Sequence, residues 1–246
     1  MNTSNQKITS RAPGFGAWLA SGSPTVAELA AQCGFGWLLL DMEHGCLPEA
    51  ELLTNLRAVS GYDVEVVVRV PTHEAGLISR ALDWGADAIM VPHVKTAEEA
   101  AALVRAMKYP PLGTRGFSPA VRAYGYGLRA KEAAGEARLF VQIESAEGVK
   151  NAEAIAGVAG VHVLFVGPAD LKLSLSTIPE APNYDDALDC VVHAARRNRI
   201  EAGILIRDQA DTAPLLKRGF TQVALGIDMA ILSAGFLSLT KVGASA

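Results

Sequence analysis

A single (β/α)8 barrel, the TIM-barrel architecture, is the fold class this sequence predicts, and three observations carry the expectation. Strand-like and helix-like segments alternate for eight rounds along the chain. The strand-like segments are near-continuous runs of Val, Ile, Leu and Phe, as expected of parallel strands covered on both faces. The 246 residues, half of them apolar, suit one large α/β unit, so 1–246 reads as one domain. A doubly wound open sheet is the alternative. It would carry a Gly-rich phosphate turn after its first strand, whereas Gly14-Phe-Gly16 lies before or within that strand.

In chain order, Phe15–Ala20 reads as strand one. Ser23-Pro24 then starts a helix to Cys33, with Ser as cap and Pro at the first helical position. Trp37–Leu40 is strand two and ends in Asp41-Met-Glu-His44-Gly45; Pro48–Val59 is its helix. Strand three, Glu65–Val70, carries Arg69 and leads to a helix at Glu74–Trp84. Strand four is Ala88–Val91, closed by Pro92-His93, and Thr96-Ala-Glu-Glu99 resembles a capping box at the start of a helix to about Tyr109. The segment 110–137 breaks the rhythm with Pro-Pro and Gly-rich turn chemistry, and is expected to be a functional loop over the exit of strand four. Leu139–Ile143 and Glu147–Ala156 form the fifth unit. Val163–Val166 is followed by a loop to about Pro182 and a helix Asp185–Arg197. Ala202–Ile206 with Gln209–Arg218, and Gln222–Leu225 with Asp228–Leu239, complete the eight.

Composition excludes several function classes. The net charge of −4 and scattered cations argue against a nucleic-acid surface. No apolar run approaches the ~20 residues of a membrane helix. The polar start MNTSNQKITSRAPG lacks an apolar signal region, and three cysteines (Cys33, Cys46, Cys190) without CxxC spacing fit a reducing compartment, so a cytoplasmic protein is expected.

Active sites of barrels lie at the carboxyl ends of the strands. Those ends hold Asp41 and His44, Arg69, Gln142 and Glu144, and Gly167-Pro168-Ala169-Asp170. Gln142 and Glu144 are two apart and share a side of their strand. Burying an unpaired carboxylate costs several kcal/mol, and a divalent ion shared by Glu144 and Asp170 would offset that; either acid could equally cap the following helix. Two carboxylates suit Mg²⁺ or Mn²⁺ better than zinc. His44, three residues after Asp41, is a general-base candidate if the Asp orients its ring, and otherwise a satisfied core histidine. Arg69 is a structural ion pair or a guanidinium that stabilises enolate charge. The Gly167 and Ala169 amides can face an anion. Lys95 and Lys172 are weaker candidates for Schiff-base lysines, and Cys46 for a nucleophile. A base, two cation-binding acids and an Arg facing an oxygen together form a kit for deprotonating carbon next to a carbonyl.

Six motifs, Asp41-Met-Glu-His-Gly45, Val68-Arg-Val-Pro71, Val91-Pro-His-Val94, Lys108–Gly116 (KYPPLGTRG), Val141-Gln-Ile-Glu144 and Val166-Gly-Pro-Ala-Asp-Leu171, resemble the class II pyruvate-dependent aldolases that act on 4-hydroxy-2-oxoheptanedioate or 2-dehydro-3-deoxyglucarate. The resemblance implies reversible cleavage of a 4-hydroxy-2-oxo acid (a 2-keto-3-deoxy sugar acid or a 4-hydroxy-2-oxo-diacid) to pyruvate and an aldehyde. It implies Mg²⁺, Mn²⁺ or Co²⁺ on Glu144 and Asp170, with pyruvate chelating through carboxylate and keto oxygen. Arg69 would contact the keto oxygen, and His44, paired with Asp41, would act as base through water. Gln142 would support the cation, and the Gly167-Pro168-Ala169 backbone would hold the carboxylate. It further implies a homohexamer, a trimer of dimers with exchanged C-terminal helices, and an Asp83 that reaches a neighbour's site. The insertion does not match one substrate branch, which leaves the aldehyde open. The alternatives are an acyl-CoA lyase of the citrate-lyase-beta or malyl-CoA type, a metal-dependent sugar isomerase or epimerase, and a catalytically silent binding barrel.

Overall fold

The short apolar runs become strands. The computed structural model describes residues 14–129 and 136–243, the last two as backbone. The strands are β1 (Gly14–Leu19), β2 (Trp37–Asp41), β3 (Glu65–Arg69), β4 (Ala88–Val91), β5 (Arg138–Ile143), β6 (Val163–Val166), β7 (Glu201–Leu205) and β8 (Gln222–Ile227). They pair in parallel in sequence order and β8 returns to β1, closing the barrel. Around it lie α1 (Pro24–Gln32), α2 (Glu49–Ala58), α3 (Ala75–Asp83), α4 (Ala97–Met107), α5 (Ala146–Lys150), α6 (Ala152–Ala156), α7 (Pro168–Ser176), α8 (Tyr184–Arg197), α9 (Thr212–Arg218) and α10 (Asp228–Gly243). Local chemistry starts several of them. Ser23 Oγ accepts from Val26 N ahead of Pro24, and Thr96 and Glu99 form a full capping box.

Strand alternation builds two apolar layers. Leu38, Leu40, Val66, Val68, Val141 and Ile143 face the helices. Trp37, Leu39, Val67, Phe140 and Phe165 face inward. Three inward aromatics fill the barrel: Trp37 meets Phe165 edge-on at 6.2 Å between centroids, and Phe140 lies 6.4 Å from Phe165. Their bulk is accommodated by Gly16 and Gly203, where an added Cβ would overlap the Trp37 and Phe165 rings. Below them Arg138, its guanidinium 5.0 Å from the centre of the Phe140 ring, pairs with Glu65 (2.9 Å) and Glu201, and Gln222 donates to Glu201 at 2.7 Å. The amino-terminal floor of the barrel is therefore sealed by a paired polar layer over an aromatic plug.

Three expectations are overturned. The loop expected after Val166 is largely the helix α7. Pro168 at its first position was the readable signal; Gly167 gives no side-chain cap and only Leu171 and Leu175 are buried, so the periodic signal is faint. The described part of the segment 110–137, residues 110–129 and 136–137, does not cover the exit of β4. It follows a helix, so it lies at the opposite end of the barrel. There Arg122 donates to Trp84 O (2.6 Å) and Leu56 O (3.4 Å) at the ends of α3 and α2, and Arg57 donates to Tyr126 Oη. Arg122 thus clips the segment to the ends of α2 and α3. The helix expected over 147–156 is split into α5 and α6 at Asn151. The polar start at 1–13 lies outside the described residues.

The chain's last helix stands apart. Asp228 ties its start to β1 by accepting from Ala20 N and Ser21 N. Beyond that, every residue from Met229 to Lys241 is exposed, Ile231, Phe236, Leu237 and Leu239 among them. Among the described residues, no helix is long and apolar enough to cross a membrane.

Candidate active site

The carboxyl ends of the strands converge on a cavity of about 740 Å³, lined by Asp41, His44, Arg69, Gln142, Glu144 and Gly167 to Asp170, with Trp18 at its base and Lys172, Tyr184 and Arg207 further out. Of the residues expected in the site, all but Asp83 line this space; of the weaker candidates Lys172 lines it, while Lys95 and Cys46 do not.

A buried ion pair lies in the cavity wall. Asp41 and Arg69, partners in the β2–β3 register, are 1% and 5% exposed. Arg69 Nε and Nη2 donate to Asp41 Oδ1 and Oδ2 at 2.9 and 2.6 Å, the two-pronged geometry that suits a guanidinium. Trp18 Nε1 adds a third hydrogen bond at 3.0 Å, and its ring lies 4.6 Å beneath the guanidinium. Burial alone would raise the Asp41 carboxyl, but the Arg69 hydrogen bonds and charge, with Trp18, outweigh it and hold the pKa below the ordinary value.

Asp41 does not orient the His44 ring, contrary to expectation. Its Oδ1 accepts from the backbone N–H of Glu43 (3.0 Å) and His44 (3.2 Å), so it builds the turn at the exit of β2. The imidazole projects into the mouth of the cavity with 66% of its side chain exposed, and its nearest acid is Glu43, 3.8 Å away. Sequence reasoning missed Glu43. It reaches Arg69 Nη1 through Oε2 at 2.6 Å, too bent for a hydrogen bond, and its side chain is 9% exposed.

From Arg69 a closed ring of contacts runs through five side chains. Arg69 Nη1 donates to Gln142 Oε1 (3.4 Å), and Gln142 Nε2 donates to Glu144 Oε2 (3.1 Å). Glu144 Oε1 accepts from the backbone N–H of His93 (2.7 Å) and lies 2.9 Å from its Nδ1; Nε2 of the same ring faces Glu43 Oε1 at 3.4 Å. Glu43 returns to Arg69. His93, also missed, takes a left-handed backbone with φ 57°.

Glu144 is 3% exposed, and burial first, then the negative charges of Glu43 and Asp170, raise its carboxyl above the ordinary value against the lowering effect of His93. Asp170 therefore lies within electrostatic reach of Glu144, one helical turn into α7. Gly167 lets them approach, since a Cβ there would run into Glu144 Oε2. The donor set is made of hard carboxylate oxygens, which fits Mg²⁺, Mn²⁺ or a similar ion with positions left for water and substrate. Among the described residues, no group of three or more His, Cys, Asp or Glu is arranged to hold an ion unaided.

The remaining candidates fall away from the chemistry. Asp83 ends α3 at the floor of the barrel and accepts from Arg115 Nη2 at 2.6 Å, so within one chain it cannot serve this cavity. Lys95 and Lys172 are exposed, Lys172 over the Tyr184 ring at 4.6 Å, and neither is desolvated as a Schiff-base lysine requires. Cys46 is exposed.

Similar proteins carry the same architecture. The family described as HpcH/HpaI aldolase/citrate lyase matches residues 14–234. A hydroxypyruvate/pyruvate aldolase of Paraburkholderia phytofirmans is 40% identical over 239 residues, covering 93% of this chain and 92% of that protein. A 4-hydroxy-2-oxovalerate aldolase of Novosphingobium aromaticivorans is 39% identical over 226 residues, 89% of this chain and 86% of its own. The crystal structure of an HpcH/HpaI aldolase/citrate lyase family protein from Burkholderia cenocepacia superposes with a TM-score of 0.86 at 36% identity, covering 94% of this chain and 95% of the other.

Proposed function

Because the chain belongs to the HpcH/HpaI aldolase/citrate lyase family, we propose that its cavity performs the carbon–carbon cleavage of a 4-hydroxy-2-oxo acid to pyruvate, or a near relative, and an aldehyde, in both directions. The observation that carries the reading is the convergence of a solvent-facing imidazole, a clamped guanidinium and two acids on one space that a small oxo acid would fill.

Glu144 and Asp170 are the residues that would hold Mg²⁺, Mn²⁺ or Co²⁺. Such an ion, when bound, supplies Lewis-acid polarisation of the substrate carbonyl and a share of the charge of the enolate. The protein's own groups do the rest. Asp41 takes two of Arg69's N–H donors and so fixes the plane of the guanidinium. A second N–H on Nη2, used by none of these acceptors, remains to donate to the substrate's keto oxygen, where negative charge grows as the C–C or C–H bond breaks. Gly167 and Ala169 present backbone N–H groups at the start of α7 to a carboxylate; Pro168 has none to give. His44 takes the proton, either from the 4-hydroxyl in the cleavage direction or from the pyruvate methyl in the synthetic one, and its exposure lets it exchange that proton with water.

Assembly into a homo-oligomer, a hexamer with α10 exchanged between subunits, is part of the same reading. It is supported by the bare apolar surface of that helix, a feature that marks an interaction site. A neighbour in such an assembly is also the route by which Asp83 would approach a site.

The test is deuterium uptake by pyruvate in D₂O without any aldehyde. Full-length protein with Mn²⁺ should exchange the methyl protons, and EDTA treatment should abolish exchange until the ion is restored. Exchange unaffected by EDTA would overturn the cation's part. Absence of exchange under every metal would overturn the reaction itself. A screen of acceptor aldehydes then identifies the second substrate.

A further inference from the structure

We propose that His93 is a positioning residue that holds Glu144 in its cation-binding orientation, clamping one carboxylate oxygen from two sides and tethering it to Glu43. The inference rests on the functional reading above and adds to it a residue that neither the strand-exit pattern nor that reading uses.

Four features of the structure converge on it. Glu144 Oε1 is reached twice by the same residue, from the backbone N–H at 2.7 Å and from Nδ1 at 2.9 Å. A carboxylate with one oxygen fixed in this way turns the other, Oε2, toward Gln142 and the Gly167 turn that leads to Asp170. Both contacts need the backbone of His93 in the left-handed region, φ 57°, which residues with a side chain rarely adopt. That conformation is itself supported: His73 Nε2 lies 2.7 Å from Pro92 O and anchors the preceding carbonyl. Finally, His93 closes the circuit. Its Nε2 at 3.4 Å from Glu43 Oε1 is the contact that joins the Glu144 branch to the Glu43 branch, both of which end on Arg69. Without the imidazole the ring opens, Glu144 keeps one backbone hydrogen bond on Oε1, and its side chain regains rotameric freedom.

The test separates positioning from simple packing, because glycine relieves the backbone strain while deleting only the imidazole. Metal-stripped full-length protein is titrated with Mn²⁺ alone by calorimetry, and folding is followed by thermal melting. His93→Gly should weaken Mn²⁺ binding about tenfold, the lower end of what outer contacts to a ligand contribute, with a melting temperature equal to or above that of the parent. His93→Asn should recover most of the affinity, since Asn tolerates the left-handed backbone and its amide N–H can replace Nδ1–H. In turnover the loss should appear in the Mn²⁺ concentration needed for half-maximal rate, while kcat at saturating Mn²⁺ changes little. A His93→Gly protein that binds Mn²⁺ as tightly as the parent overturns the inference and leaves the functional reading standing. So does an Asn variant no better than Gly. A parent protein that takes up no Mn²⁺ overturns both.

Discussion

The buried clamp between Asp41 and Arg69 makes the sharpest quantitative prediction. Replacing Asp41 by Asn keeps the shape and leaves an amide oxygen to accept from the Glu43 and His44 N–H groups, but it removes the charge opposite an arginine that is 5% exposed. It also points an NH₂ at one of the donors now served by the two carboxylate oxygens, Arg69 or Trp18 Nε1. Removing one partner of a buried ion pair costs roughly 3–5 kcal/mol. Arg69 retains Glu43 at 2.6 Å, so the lower end, about 3 kcal/mol, applies here. For a chain of this length each kcal/mol moves the melting temperature by roughly 2–4 °C, so Asp41→Asn should melt about 6–12 °C lower at neutral pH. The pH dependence follows in sign. The folded Asp41 carboxyl lies below its unfolded value of 3.8, so its stabilisation is whole above that pH and fades as pH falls through the lower folded value. Parent and variant melts should therefore converge in acid. A variant melting within about 2 °C of the parent at pH 7 would refute the buried-clamp reasoning, because a surface pair gives that little.

Other outcomes follow from other parts of the molecule. His44→Gln should slow pyruvate proton exchange by about 10²–10⁴ with an unchanged melting temperature, since the ring is exposed and supports nothing; a destabilised variant would show it to be structural. Burial, then the Arg138 charge, holds the His162 imidazole below 6.5, and its Nδ1 accepts from Leu139 N, so the folded state prefers the neutral ring. The unfolded chain binds the extra proton first, stability falls as pH drops below about 6.5, and His162→Asn, whose amide oxygen can accept the same N–H, should lose that slope in melts from pH 8 to 5. Phe236→Glu on α10 should lower the mass found by sedimentation if that surface is an interface, and an unchanged mass would remove the helix from the assembly.

Much of this was readable beforehand, for definite reasons. Strands covered on both sides announce themselves as apolar runs, and polar residues that end such runs, Asp41, Arg69 and Glu144, have only the barrel mouth to go to. The placement of 110–129 was also available in principle: a segment that follows a helix belongs to the floor, and parity alone decides it. Glu43 and His93 were less accessible. Where a strand gives way to a turn, the twofold alternation stops, so nothing in the order Asp41-Met-Glu-His44 says which side chain returns to the guanidinium. An Asp accepting N–H groups two and three residues on is a common turn habit, and it competes with the pairing to the His44 ring expected from proximity. At His93 the decisive fact is a left-handed backbone, which no Gly or Asn advertised. The α7 helix was hidden by the faintness of its buried stripe.

The aromatic plug governs traffic as well as packing. With Trp37, Phe140 and Phe165 filling the middle of the barrel, and Arg138, Glu65 and Glu201 bolting the floor beneath them, nothing passes through from below. On the proposed reading, keto acid, aldehyde, cation and solvent hydrogen would all share one doorway, and the imidazole of His44 stands in it. Under the proposed reaction, a proton drawn from the methyl group would leave past the same residue that removes it, and an aldehyde already seated in the doorway would lengthen its stay.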